Sequence, residues 1–276
     1  MIKNDFIDVI LQPIFIEGSK GRFFCLFAPP QNEQMNTFLF LPSFAEEMNR
    51  CRVMVAMQAR MLVAQGHGCL LMDYYGTGDS EGDFSESTWE QWQEDALSAC
   101  RWLSNQSQNR IILWGVRLGV LLAAELANQE PQLFSRLLFW QPVLDAQSFL
   151  TQFFRIRVAM LMDRGEPKET TQQMRQQLQL GNNLEIAGYT INPRLVNTLD
   201  SIKLSLLKDT TIPIDWFEVI MDADGDLAPA SQKLINDWRQ RGISVQTHCY
   251  QGPAFWQLHE RELTPELLEK TTALYI

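Results

Sequence analysis

The sequence predicts an α/β fold: a mostly parallel central sheet flanked by helices on both faces, with one segment inserted. Three observations lead there. The runs Thr37–Leu41, Cys69–Met72, Ile111–Trp114 and Leu137–Trp140 are short and almost uniformly apolar, as strands buried on both faces are. Between them lie stretches of helical periodicity, so strand and helix alternate at the spacing that parallel crossovers need. The alternation stops at about residue 146 and resumes at about 208. This marks 146–207 as an inserted cap or lid, and 1–145 with 208–276 as the core.

In chain order, Phe6–Ile16 and Arg22–Ala28 read as two antiparallel strands around the Gly18–Gly21 turn. Thr37–Leu41 ends at Pro42-Ser43-Phe44. Glu46 and Glu47 then open an amphipathic helix to about Gln65, acidic residues being favoured in a first helical turn. Cys69–Met72 leads into the polar loop Asp73–Gly82. Ser87 and Glu90 stand at capping-box spacing and start a helix to Leu103. After Leu137–Trp140 comes the insertion, with FLTQFFRIRVAMLM and a Gln-rich helix at Thr170–Leu180. Its apolar residues Phe149, Leu150, Phe153 and Phe154 suit packing against the core; a partner or membrane surface is the alternative. The core resumes with a strand at Ile214–Met221, a helix at Pro229–Arg241, a strand at Ser244–Tyr250 and a helix from Pro265.

The most informative stretch is Arg110–Ala127, RIILWGVRLGVLLAAELA. An apolar strand, a tight turn bracketed by Gly115 and Gly119, and a run of helix formers have the pattern of a nucleophile elbow, the turn that presents the reactive residue in the α/β-hydrolase fold. The glycines suit it because the middle residue sits on a strained turn crowded by backbone. That middle residue is Arg117, where the motif needs Ser, Asp or Cys. A guanidinium stays protonated and serves neither as nucleophile nor as general base. It also stands at the positive end of a helix dipole, so it requires a carboxylate or a bound anion as partner. Two readings are balanced: a structural ion pair in a dead site, and an anion-binding or electrophilic role.

Composition narrows the class. The chain has 276 residues, 46% hydrophobic, with 8 Trp, which is ample for a core with one insertion. A formal net charge of −10 excludes a nucleic-acid face, and no basic block suits anionic lipid. No apolar run approaches the length of a membrane span. The N-terminus lacks a signal peptide's apolar core and cleavage site. The 5 cysteines are scattered and mostly in apolar contexts, without zinc spacing, which suits a reducing, cytoplasmic setting. No motif implies a cofactor or a metal.

Triad logic places an acid after the seventh strand of the core and a histidine after the eighth. The first loop reads Asp222-Ala223-Asp224-Gly225-Asp226, with Asp226 at the usual acid position. Where the histidine is expected, two or three residues past Gly252, stand Ala254 and Phe255; His259 lies farther on, His248 lies within a strand and His67 in a distant turn. Two of three triad members are missing. An oxyanion hole uses backbone N–H groups, here those of Leu118 and of Ser43 or Phe44, which survive side-chain replacement. Glu46, Glu47, Asp79 and Ser80 complete the surroundings. Glu46 or Glu47 is the expected partner of Arg117, with Asp79 and Asp226 as alternatives.

The runs LPSFAEEMNRCR, DYYGTGDSEGDF, WGVRLGVLLA and FWQPVLD, with QFFRIRVAM and IAGYTI in the insertion, resemble the second of two α/β-hydrolase-superfamily proteins associated with the exosortase A system. The resemblance extends over essentially the whole chain. It implies an α/β-hydrolase fold, Arg at the elbow as part of the family pattern, and a setting in PEP-CTERM protein sorting and exopolysaccharide production. Three functions fit. The first is a hydrolase of ester, thioester or acyl type, with Arg117 polarising a carbonyl; water, Ser43 or Ser80 would attack, Asp226, Glu46 or Glu47 would act as base, and His259 is the nearest histidine. The second is a pseudoenzyme that binds a small carboxylate- or phosphate-bearing molecule or a sugar-lipid. The third is a scaffold that contacts the export or exopolysaccharide machinery through the insertion.

Overall fold

In the computed structural model, residues 10–106, 110–221, 225–257 and 262–276 are described. The elements are β1 (Gln12–Glu17), β2 (Arg22–Ala28), β3 (Thr37–Leu41), α1 (Glu46–Ala64), β4 (Gly68–Met72), α2 (Trp89–Gln106), β5 (Ile111–Val116), α3 (Gly119–Gln129) and β6 (Phe134–Trp140). Between β6 and β9 lie α4 (Ala146–Asp163), α5 (Thr171–Gln179), the hairpin β7 (Leu184–Ile186) and β8 (Tyr189–Ile191), and α6 (Pro193–Leu199). Then follow β9 (Ile214–Val219), α7 (Pro229–Gln240), β10 (Val245–Tyr250) and α8 (Pro265–Ala273). Eight strands form one sheet in the order β1-β2-β4-β3-β5-β6-β9-β10. β2 runs antiparallel to both β1 and β4, and every other pairing is parallel. This is the α/β-hydrolase fold.

The period of two along each strand splits the core into two layers. Leu39, Leu41, Ile111 and Leu113 point to the face covered by α2, α3 and α7. Phe38, Phe40, Ile112 and Trp114 point to the face covered by α1 and α8. The insertion shares the first layer through Leu150, Phe153 and Phe154, so its apolar stripe packs inward. Among the described residues no helix is long and apolar enough to cross a membrane.

Two local expectations are corrected. Ser87 does not cap α2, because its hydroxyl donates to the Tyr75 carbonyl (3.0 Å); Thr88 caps instead, accepting from the Gln91 N–H (3.2 Å). The first strand begins at Gln12, and the earlier part of the expected span Phe6–Ile16 falls partly outside the described residues. The insertion also carries a hairpin that periodicity does not reveal. Its two-residue turn, Ala187-Gly188, has φ of 51° and 83°, the left-handed pair that a tight hairpin turn demands.

One buried carboxylate gives the fold a pH signature. Asp95 on α2 is fully buried and accepts hydrogen bonds from the Tyr75 N–H and the Gln91 amide, both at 2.9 Å. Burial, partly offset by those bonds, pushes its carboxyl up to about 6. A carboxyl whose folded value is raised favours folding when protonated, so this contribution is present below about pH 4 and is lost as pH rises to about 6. Asp95→Asn should therefore gain stability relative to wild type as pH rises across that window, by up to about 3 kcal/mol at pH 7. Thermal unfolding of both proteins at several pH values checks this; a difference in Tm that does not change with pH contradicts it.

Candidate functional site

The elbow is built by close packing at two glycines. A Cβ on Gly119 would lie 2.2 Å from the Leu41 carbonyl oxygen and 2.7 Å from that of Pro42, so α3 starts directly against the loop after β3. A Cβ on Gly115 would meet the Val120 Cα at 2.7 Å. Between them Arg117 has φ 55°, a left-handed conformation that disfavours a side chain by about 1–3 kcal/mol. Its N–H donates to the Trp140 carbonyl (3.0 Å), which fixes the turn on β6.

The Arg117 side chain meets α1. Its Nε donates to the two Glu47 carboxylate oxygens at 3.3 and 3.2 Å, and Nη2 donates to Oε1 at 3.1 Å. Nη1 reaches the Gln141 carbonyl at 3.4 Å. The guanidinium carbon stands 5.1 Å from the Trp256 ring centre and 5.9 Å from that of Phe149, contacts that favour a cation. The Arg117 and Glu47 side chains keep 15% and 19% of their surface exposed, so solvent reaches the pair. Burial pushes the Glu47 carboxyl above the usual carboxylate range, and the Arg117 charge acts against that shift.

The remaining candidates separate. Glu46, one position from Glu47, turns to the insertion: it accepts from the Tyr189 hydroxyl and the Asn49 amide, both at 3.2 Å. Ser43 is buried, its Oγ has no nitrogen or oxygen partner among the described residues, and the Cys51 thiol lies beside it. Burial pushes that thiol up to about 12, so it carries no thiolate at neutral pH. The Phe44 ring packs edge-on against Phe149 and Phe153 and so holds the insertion over the elbow. Among the described residues the N–H groups of Phe44 and Leu118 donate to no protein acceptor.

Ser80 is occupied elsewhere, donating to the Asp73 carbonyl (2.7 Å) and accepting from the Phe24 N–H (2.8 Å). Asp79 is exposed, and its N–H donates to the Asp73 carboxylate, which pairs with Arg52. Asp226 is exposed and makes no hydrogen bond or ion pair with Arg117 among the described residues. His259 lies outside the described residues. His67 and His248 engage Tyr275 and Asp215 respectively, not Arg117. Among the described residues no group of three or more His, Cys, Asp and Glu is arranged to hold a metal ion.

Sequence reasoning did not find Trp256, Phe149 as a contact of Arg117, or Gln141. Trp256 follows directly on Ala254 and Phe255, so counting from Gly252 stopped one residue short. Gln141 has φ 45° and links the end of β6 to β9 and β10: its N–H donates to the Phe217 carbonyl, and its side-chain oxygen accepts from the Val219 N–H and, at 3.5 Å, from the Tyr250 hydroxyl. No pattern in the sequence signals it.

The ion pair predicts a selective stability response. Arg117→Ser strands a largely buried Glu47 carboxylate, and Glu47→Gln strands the guanidinium; each should cost about 2–3 kcal/mol, or roughly 4–12 °C in Tm. Glu46→Gln should cost less than about 0.5 kcal/mol. Equal losses for Glu46→Gln and Glu47→Gln in thermal unfolding would contradict the assignment.

Comparison with known proteins agrees with this geometry at the level of fold and family. Human mitochondrial palmitoyl-protein thioesterase ABHD10 is 32% identical over 94 residues, 34% of this chain and 29% of that protein. The chain thus matches under a third of that relative's length. Among solved structures, Est1E from Butyrivibrio proteoclasticus with bound ferulic acid superposes with a TM-score of 0.66 at 17% identity, covering 95% of this chain and 98% of that one. Mouse α/β hydrolase domain-containing protein 10 gives 0.58 at 17% identity, with the same coverage. The family model described as serine aminopeptidase, S33, matches residues 36–236, nearly three quarters of the chain. The chain therefore belongs to the serine aminopeptidase S33 family of α/β hydrolases.

Proposed function

We propose that this chain is a member of its family without serine chemistry, which uses the elbow chamber to hold an acyl compound bearing a carboxylate. The observation that carries the reading is Arg117 at the elbow apex, already gripping a carboxylate, that of Glu47, through Nε and Nη2. Bidentate recognition of a planar anion is what a guanidinium does best. The unpaired N–H groups of Phe44 and Leu118 supply further donors on the two loops that Gly119 brings together. Phe44, Phe149, Phe153 and Trp256 offer apolar and aromatic surface for the rest of the ligand. Segment 146–207 acts as the lid that covers it.

The relatives support an acyl ligand: one is a palmitoyl-protein thioesterase and another was solved with ferulic acid, an aromatic carboxylate. The resemblance to the exosortase A-associated hydrolases sets this binding in exopolysaccharide production and PEP-CTERM sorting, with a sugar-lipid or acyl intermediate as ligand. The lid surface is the place to look for contact with that machinery. Five cysteines without a disulfide suit a cytoplasmic setting.

A second reading has its own support. Glu47 stands beside the elbow with a carboxyl raised by burial, which is the property of a general base that activates water. In that case ester or thioester hydrolysis proceeds with Arg117 polarising the carbonyl, and Asp226 and His259 remain auxiliary candidates.

The two readings separate in one assay set. The wild type should neither react with a fluorophosphonate probe nor turn over activated short-chain esters and acyl-CoA thioesters above background, while octanoate raises its Tm. Loss of triad members costs several orders of magnitude in rate. Turnover abolished by Glu47→Gln would establish the second reading. Fluorophosphonate labelling would overturn both and identify a serine nucleophile.

A further inference from the structure

The Arg117–Glu47 pair has the geometry of a site whose ligand position is filled by the protein's own carboxylate. Glu47 occupies the Nε/Nη2 edge of the guanidinium, the edge that an incoming carboxylate would take. The other nitrogen is held by Gln141 and the guanidinium lies over the Trp256 and Phe149 rings, so the cation is fixed while its carboxylate partner sits on a partly exposed edge. A nearly fully buried hydroxyl, that of Ser43 on the loop between β3 and α1, has no nitrogen or oxygen partner among the described residues.

We infer that ligand carboxylates bind by displacing Glu47 from Arg117, and that the displaced Glu47 takes up one proton. This rests on the proposed carboxylate-binding function. The exchange balances: a ligand carboxylate, the Arg117–Glu47 pair and one proton give an Arg117–ligand pair and a neutral Glu47 acid. Both end states leave one cation facing one anion, and no second negative charge is left in the chamber. Without the proton, two carboxylates would share one largely buried guanidinium, which is unfavourable.

The groups around Glu47 agree with proton uptake. Among the described residues, the charged group that faces it from the elbow is Arg117, whose charge is given to the ligand in the exchange. On α1 itself, Arg50 acts weakly on it, and Glu46 is a like charge one residue away that pairs with Arg50 and Tyr189. The Cys51 thiol and, from β10, the Tyr250 hydroxyl are both driven upward by burial, so they stay neutral and supply no counter-charge. Once Arg117 is engaged elsewhere, burial is the dominant influence left on the Glu47 carboxyl, and it favours the acid.

The test is isothermal titration of the full chain with sodium octanoate and sodium benzoate, at about pH 5.5 and about pH 8, in two buffers of contrasting ionisation heat. Benzoate is essentially ionised throughout; at the lower pH roughly a fifth of the octanoate is protonated, and the proton count is corrected for it. The expected result is uptake of close to one proton per ligand, and affinity that weakens by up to tenfold per pH unit as pH rises. Glu47→Gln should bind more tightly near pH 8, with no pH dependence and no proton uptake. Should that variant fail to fold, the proton count of the wild type in the two buffers decides alone. Binding without buffer-dependent heat overturns the exchange and leaves the carboxylate site standing. Heat from inorganic phosphate but from neither carboxylate overturns the ligand class, and no binding by any of the three overturns the site as well.

Discussion

The elbow of this protein depends on one ion pair. Family geometry drives the residue at position 117 into a left-handed turn at a helix N-terminus, packed by Gly119 against the β3 loop. A positive side chain there is opposed by desolvation and by the helix dipole. Glu47, Trp256 and Phe149 together offset both effects. The first turn of α1, the loop after β10 and the start of the insertion thereby converge on a single guanidinium. Removing it would leave each of these segments without its common contact.

The same convergence accounts for the chemistry. A serine hydrolase needs a nucleophile, a base within hydrogen-bond reach of it, and donors for the developing oxyanion. Here the backbone N–H groups of Phe44 and Leu118 donate to no protein acceptor among the described residues. The nucleophile position holds a permanent cation, and an aromatic ring stands beside it in the loop where the base is expected. A guanidinium at this position offers charge and planar hydrogen-bond donors, without the electron pair that attacks a carbonyl. The left-handed backbone at Arg117 lies where strained residues usually serve function, which is the ground for the proposed recognition role.

Much of the fold was legible because it rests on short-range patterns. The apolar runs at β3, β4 and β5 and the glycines at 115 and 119 can be understood in only one architecture. The need of Arg117 for a carboxylate was equally legible, since the cost of an unpaired charge at a helix N-terminus is a general one. Whether Glu46 or Glu47 supplies it was not: successive helical residues differ by about 100° in direction, and only the placement of α1 on the sheet decides. Trp256 and Gln141 were out of reach for a different reason. Their roles arise from strands distant in sequence meeting at the top of the sheet, and neither residue type announces a contact with Arg117. The cap of α2 moved by one residue because the Ser87 hydroxyl found a tertiary acceptor in Tyr75, which local spacing does not reveal.

The proposal that Arg117 receives carboxylates rests on its pairing with Glu47 at rest. The most direct measurement is a crystal structure of the protein grown with octanoate at mildly acid pH, compared with one grown without it. The expected result is the octanoate carboxylate on Nε and Nη2 of Arg117, with its chain among Phe44, Phe149 and Trp256, and the Glu47 side chain turned away. A Glu47 carboxylate still bonded to Arg117 in the presence of saturating octanoate, with the ligand absent from the chamber, would contradict it.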